Sequence, residues 1–274
     1  MRLVDDVVAA LDERYPPEWA DDWDRVGLVV GDPAMPVGTV LFVVDCVPET
    51  VAEARASGAD MIVAHHPLLL RGVSSVAATT YKGRLVHELI KNDIALHVAH
   101  TNADHANPGV SDALARRVGL IDLRPLRPAD PADDGGRGAG RIGRLPLSTT
   151  LGEFVARAAA ALPATAGGVR ATGDPGRVIT TVAVCGGAGD SFLIDAARAG
   201  VDAYLTADLR HHPASEHIAA GGPVLIDAAH WATERPWLDD AAAVVRSATG
   251  LTTLISDLDT DPWTIRAGSG SPIQ

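Results

Sequence analysis

One pattern, met twice, limits what this chain can fold into. In VLFVVDC, PETVAEARASGAD and MIVAHHP, an apolar run is followed by a helical stretch, a Gly-x-Asp turn at Gly58 and Asp60, a second apolar run, and then His65-His66-Pro67. In TVAVCGGAGDSFLIDAARAGVDAYLTADLRHHP the order returns, with Gly200, Asp202 and His211-His212-Pro213 at the matching places. Each copy leads through a helix into a strand that stops at a histidine, IALHVAH at His100 and PVLIDAAH at His230. Apolar runs joined by a helix read as βαβ units whose parallel strands are buried on both faces. The chain is therefore predicted to be α/β, with two related halves, each a sheet flanked by helices.

The halves are expected at residues 1–123 and 142–274, with the final segment packing back on the first. At about 100–200 residues per domain, 274 residues agree with two units. The intervening stretch, RPLRPADPADDGGRGAGR at 124–141, is dense in Pro, Asp, Gly and Arg and reads as a solvated connecting loop. Leu3, Val4, Val7, Val8 and Leu11 recur at helical spacing, so an amphipathic helix should open the chain and end before Pro16-Pro17. Trp19 and Trp23, which follow it, read as core anchors.

The carboxyl ends of parallel strands are where α/β sheets gather polar site residues, because side chains there project into the crevice rather than the core. His65, His66, His100 and His230 fall at such ends, and Asp104 and Glu234 each stand four residues beyond a terminal histidine. Imidazole nitrogen with carboxylate oxygen suits zinc, iron or manganese; a calcium or magnesium cage would be built mainly of oxygen. Neighbouring residues at a strand end point in different directions, so His65 and His66 are better suited to hold one ion each than to grip a single ion. Asp104 or Glu234 would then bridge two ions at a separation of about 3.5–4 Å. Thr101, Asn102 and Thr233 are candidates to orient these ligands.

The other histidines read more plainly. His87 and His217 lie on helices as structural side chains, His97 lies inside a strand, and His105 sits in a turn. His211-His212 belong to the second copy of the motif and are expected to line the cavity. CGGAGD, at 185–190, is either an anion-facing turn before a helix or a tight packing turn.

A net charge of −12 repels phosphate backbones and anionic lipid, which argues against nucleic acid as a partner. No run approaches the roughly 18 apolar residues of a spanning helix, and Asp5, Asp6, Asp12 and Glu13 do not suit an export signal. No membrane partner and a soluble, cytoplasmic location are expected. Cys46 and Cys185 stand alone in apolar runs and read as buried reduced thiols.

WDRVGLVVGD, IVAHHPLL, HVAHTNADHANPGVSDALA, GRIGRLP, VAVCGGAGDS, DAYLTADLRHH and IDAAHWATERP, in that order, make the chain similar to the Ngg-interacting-factor-three-like family, also labelled GTP cyclohydrolase 1 type 2 homologues. The likeness runs from about residue 3 to residue 265. It implies a dinuclear metal centre in the cleft between the halves, with two divalent transition metal ions (Zn, Fe or Mn) per chain, and a homo-oligomer, a toroidal hexamer. It implies His65, His66, Asp104, His230 and Glu234 as ligands, with His100 in support. The large mid-chain insert of longer members is expected to be absent. Arg25 departs from the Asn common after Trp-Asp in that family, and Ala103 from a larger apolar residue.

The label suggests a metal-dependent hydrolase acting on a small nucleotide-like substrate, with His100 or His212 as proton carrier. The alternative is a non-enzymatic, metal-containing scaffold or regulator. A polyphosphate substrate would need local cations, for which Arg71, Lys82, Arg84 and Arg210 are the candidates by position.

Overall fold

The computed structural model describes residues 1–130, 132 and 136–267. It divides into two compact units: one formed by Met1–Ala106 and Leu238–Thr260, the other by Asn107–Trp237 and the residues after Thr260. In chain order the first unit supplies β1 (Arg2–Leu3), α1 (Val4–Arg14), β2 (Gly27–Val30), β3 (Pro36–Val37), β4 (Thr39–Val43), α2 (Pro48–Ser57), β5 (Met61–Ala64), α3 (Tyr81–Lys91), β6 (Ala95–Val98) and α4 (Thr101–His105). The second supplies α5 (Val110–Arg117), β7 (Ile121–Pro128), β8 (Gly138–Thr150), α6 (Leu151–Ala161), β9 (Val169–Ala171), β10 (Val178–Ala188), α7 (Leu193–Ala199), β11 (Ala203–Ala207), α8 (His211–Ala219), β12 (Val224–Ala228) and α9 (His230–Glu234). Then come α10 (Trp237–Thr249) and β13 (Thr252–Ile255).

The main sheet of the first unit has the order β13-β4-β5-β6-β2, parallel except for β2. Every residue of β5 and β6 is buried, as a parallel strand covered on both faces requires. On one face Leu41, Val43, Ile62, Ala64 and Leu96 pack with Val51 and Ala54 of α2 and with Leu85 and Leu89 of α3. The end of the chain contributes an edge: β13 pairs with β4 from Thr252 opposite Thr39.

In the second unit the order is β7-β8-β10-β11-β12-β9, with β10, β11 and β12 parallel and the outer strands antiparallel. Ala183, Cys185, Tyr204 and Leu225 pack with Leu193 and Ala196 of α7.

The internal repeat persists at the level of atoms. α2 stops at Gly58 with φ +67° and α7 at Gly200 with φ +66°, left-handed positions that glycine adopts without strain. Two residues later an aspartate ties the turn to the start of the preceding strand. Asp60 Oδ2 accepts the N–H groups of Gly38 and Thr39 at 2.8 and 2.9 Å, and Asp202 Oδ2 those of Thr180 and Thr181 at the same distances.

The stretch expected to be a connecting loop at 124–141 differs. β7 and β8 pair as an antiparallel hairpin, from Arg124 opposite Ile142 to Pro128 opposite Gly138; residues 131 and 133–135 lie outside the described residues. The division between units comes at Ala106 and Asn107, before α5, rather than near residue 123. Pro125 and Pro128 are tolerated because β7 is an edge strand, with no outer neighbour requiring their missing N–H. Arg141, one of the residues that suggested a solvated loop, is buried. Its Nε and Nη2 lie 2.8 Å from the two oxygens of Asp112, and its Nη1 donates to the carbonyls of Gly138 and Gly140. Local composition cannot reveal that pairing, since Asp112 precedes Arg141 by 29 residues. Among the described residues no helix is long and apolar enough to cross a membrane.

Candidate metal centre

In the first unit the carboxyl ends of three neighbouring parallel strands supply the polar groups. β4 runs on to Asp45, β5 to His65 and His66, and β6 to His100, after which α4 carries Asp104. The rings of His65 and His66 are 5.1 Å apart between centroids, those of His65 and His100 5.1 Å, and those of His66 and His100 5.5 Å. One ring nitrogen from each of the three lies within 4.8 Å of the others. His65 Nε2 is 3.9 Å from Asp104 Oδ1.

Each ring is held through Nδ1. That of His65, a fully buried side chain, meets the Ala99 carbonyl at 2.9 Å. A carbonyl only accepts, so Nδ1 carries the proton and the Nε2 lone pair points away from it. His66 Nδ1 meets Asp45 Oδ1 at 2.7 Å and His100 Nδ1 meets Asp24 Oδ1 at 2.9 Å. Burial alone would raise the pKa of Asp24, but hydrogen bonds from His100 and from the N–H and hydroxyl of Thr101 outweigh it and hold the carboxyl far below the usual range. An ionised Asp24 keeps the His100 proton on Nδ1. Asn102 accepts the His100 backbone N–H at 2.9 Å and donates to the Tyr15 carbonyl at 2.7 Å. Asp45 is itself steadied by the Thr260 hydroxyl, from the segment that returns to this unit.

The second unit repeats the device. His230 Nδ1 lies 2.7 Å from Asp208 Oδ2 and its Nε2 lies 3.0 Å from Glu234 Oε1, one helical turn along α9. Asp208 holds φ +58°, a sparsely populated conformation for a non-glycine residue and one met at functional sites. Burial alone would lower the His230 pKa; the negative charge of Glu234 and the hydrogen bonds to both carboxylates push it up to about 11. The pair thus attracts positive charge strongly. The Thr233 hydroxyl donates to the His230 carbonyl at 2.7 Å and accepts the Gly187 N–H at 2.9 Å, so CGGAGD serves as a packing turn against the donors.

The structure therefore places His65, His66, His100 and Asp104 together in one unit and His230 with Glu234 in the other. His212 is exposed at the start of α8, its ring 5.2 Å from that of His211. His97 is buried with Nε2 3.6 Å from Asp12, His105 Nε2 meets Asp21 at 3.1 Å, and His217 Nε2 meets the Pro223 carbonyl at 3.2 Å. Trp23, expected in the core, is 56% exposed and stands edge-on to His100 at 5.9 Å. Both cysteines are free and buried; burial, and then the neighbouring Asp45 charge, push the Cys46 thiol up to about 12, so it stays protonated.

Sequence reasoning missed Asp24, Asp45 and Asp208, the groups that aim three of the imidazoles. Asp45 and Asp208 carried a usable signal, because each follows an apolar strand at its carboxyl end.

The chain is 55% identical to a Streptomyces coelicolor protein named GTP cyclohydrolase 1 type 2 homolog, over 98% of this chain and 96% of the relative. It is 39% identical to a Mycobacterium tuberculosis protein of the same name, covering 97% of each over 371 aligned positions; that relative carries length that this chain lacks. The crystal structure of a Bacillus cereus protein related to NIF3 shares the fold, with a TM-score of 0.89 at 23% identity, over 96% of this chain and 98% of that one. The family profile described as Duf34/NIF3 (NGG1p interacting factor 3) matches residues 2–262, and the chain belongs to that family.

Proposed function

We propose that the protein is a metal-dependent hydrolase acting on a nucleotide-like substrate, with two divalent metal ions per chain. His65, His66, Asp104, His230 and Glu234 would hold two divalent transition metal ions. The observation that carries this reading is that His65, His66, His100 and His230 each have Nδ1 engaged by a carbonyl or carboxylate, which fixes the orientation of each ring, and that Nε2 of His65 and of His230 lies toward a carboxylate, Asp104 and Glu234 respectively. Orienting partners of this kind fix the tautomer and raise the basicity of ligating histidines. The donor set, nitrogen with carboxylate oxygen, fits zinc, iron or manganese. When bound, such ions lower the pKa of water and neutralise charge developing on a substrate.

The chain's own residues complete the chemistry. His100, with its proton fixed on Nδ1 by Asp24, offers Nε2 to take up and return a proton beside the donors. The name of the relatives points to a GTP cyclohydrolase type of substrate.

The test is turnover by the full chain loaded with zinc, manganese or iron, against GTP and a panel of phosphoesters. Hydrolysis should be lost in His65→Ala and Glu234→Ala, and His100→Gln should retain metal while losing about 10²–10⁴-fold in rate. No turnover by fully loaded protein, or turnover indifferent to these changes, would contradict the hydrolase reading and leave a metal-containing scaffold.

A further inference from the structure

A cavity of about 450 Å³ in the second unit, within the size range of small-molecule sites, has His230, Asp208, Gly168, Arg170 and Trp263 in its wall. Trp263 is 71% exposed, yet its backbone N–H is held 3.1 Å from Oδ1 of Asp261, a residue only 5% exposed. A large indole kept in water at the rim of a concave site, on an anchored backbone, is a stacking surface for a planar ring.

A second cavity, of about 490 Å³, shares Arg170, Leu209 and Asp227 with the first and extends to Arg210, His211 and Ser215. Arg170 stands where the two meet. Its Nε and Nη2 lie 2.7 and 2.6 Å from Asp227 Oδ2, which leaves other N–H donors of its five for a ligand. Arg210 donates through Nε to Asp190. Both guanidinium side chains are 75% exposed. A third guanidinium, Arg266, approaches Gly168 so closely that a Cβ there would lie 3.3 Å from its Nη1. Guanidinium groups spaced along one groove match the forked oxygens of phosphate. The groove thus runs from a metal donor, past an aromatic platform, to cationic groups.

We propose that the two cavities form one nucleotide site, with Trp263 stacked on the base beside His230 and with Arg170 and Arg210 taking the phosphate groups. The identity of the bound molecule as a substrate rests on the hydrolase reading above; the binding itself does not.

Calorimetric titration of the full chain with GTP, guanosine and inorganic phosphate, metal-free in EDTA and again metal-loaded, tests the site. GTP should bind in at least one form. Trp263→Ala should weaken both GTP and guanosine about tenfold or more. Arg170→Gln combined with Arg210→Gln should weaken GTP about tenfold while leaving guanosine within about twofold. These side chains are exposed, and circular dichroism of the variants should match the parent. Nucleotide affinity that depends on Trp263 in a chain without turnover would keep the site and remove the hydrolase reading. GTP affinity unchanged in the variants, no nucleotide binding in either form, or inorganic phosphate bound as tightly as GTP would overturn the proposal.

Discussion

Replacing Asp112 with alanine should lower the free energy of unfolding by about 3–5 kcal/mol, because it breaks a buried ion pair made with Arg141 through both carboxylate oxygens. The side chains are 4% and 1% exposed, and Asp112 is the carboxylate that faces the guanidinium at 2.8 Å through both oxygens. The same carboxylate accepts the Gly109 N–H at 2.7 Å at the start of α5, so the hairpin of β7 and β8 and the helix share one anchor. Removing the cation instead should cost less: Arg141→Met leaves a carboxylate that still has a backbone donor. Urea unfolding of the two variants beside the parent measures both. A loss below about 1 kcal/mol for Asp112→Ala, or a larger loss for Arg141→Met, would show that the pair does not hold the hairpin.

The second large effect is expected at Gly187. A Cβ there would lie 2.3 Å from Glu234 Oε1 and 3.0 Å from His230 Nε2, and the residue holds φ +68°. Gly187→Ala must therefore displace the Glu234 carboxylate or the His230 ring, and with these as the proposed donors zinc affinity should fall about 10–100-fold, the range seen when ligand support is lost. Gly200→Ala is the matched control: φ is +66° and nothing lies within 4 Å of the added carbon. It bears the backbone strain alone, about 1–2 kcal/mol of stability, and should keep its zinc. Competition titration with a chromophoric chelator reads both. Equal affinity in the two variants would mean that Glu234 and His230 are not donors as placed.

Much of the placement of these histidines and carboxylates was legible because it follows from strand periodicity. An apolar run that is buried on both faces must stop where polar residues begin, so His65, His66, His100 and His230 announce the strand ends, and Asp104 and Glu234 follow one turn into the next helix. The repeated Gly-x-Asp was legible for a similar reason, since a left-handed glycine ends each helix. The aspartates behind the imidazoles were not, because their partners are remote in sequence: Asp24 meets His100 across 76 residues, Asp45 meets His66 across 21, and Asp208 meets His230 across 22. Arg141 misled for the converse reason. Its neighbours in sequence are polar and small, while its carboxylate partner belongs to α5. Trp23 misled because size alone suggests the core, whereas here the indole stands beside His100 and is largely in water.

Metal content per chain is the most direct measure of the central proposal, that these imidazoles and carboxylates hold two divalent cations per chain. Elemental analysis of the full chain, saturated with zinc or manganese and then dialysed, should give two equivalents. Asp104→Ala and Glu234→Ala should each bring this well below one. A single equivalent or none in the parent chain, or two equivalents that survive both substitutions, would contradict the account.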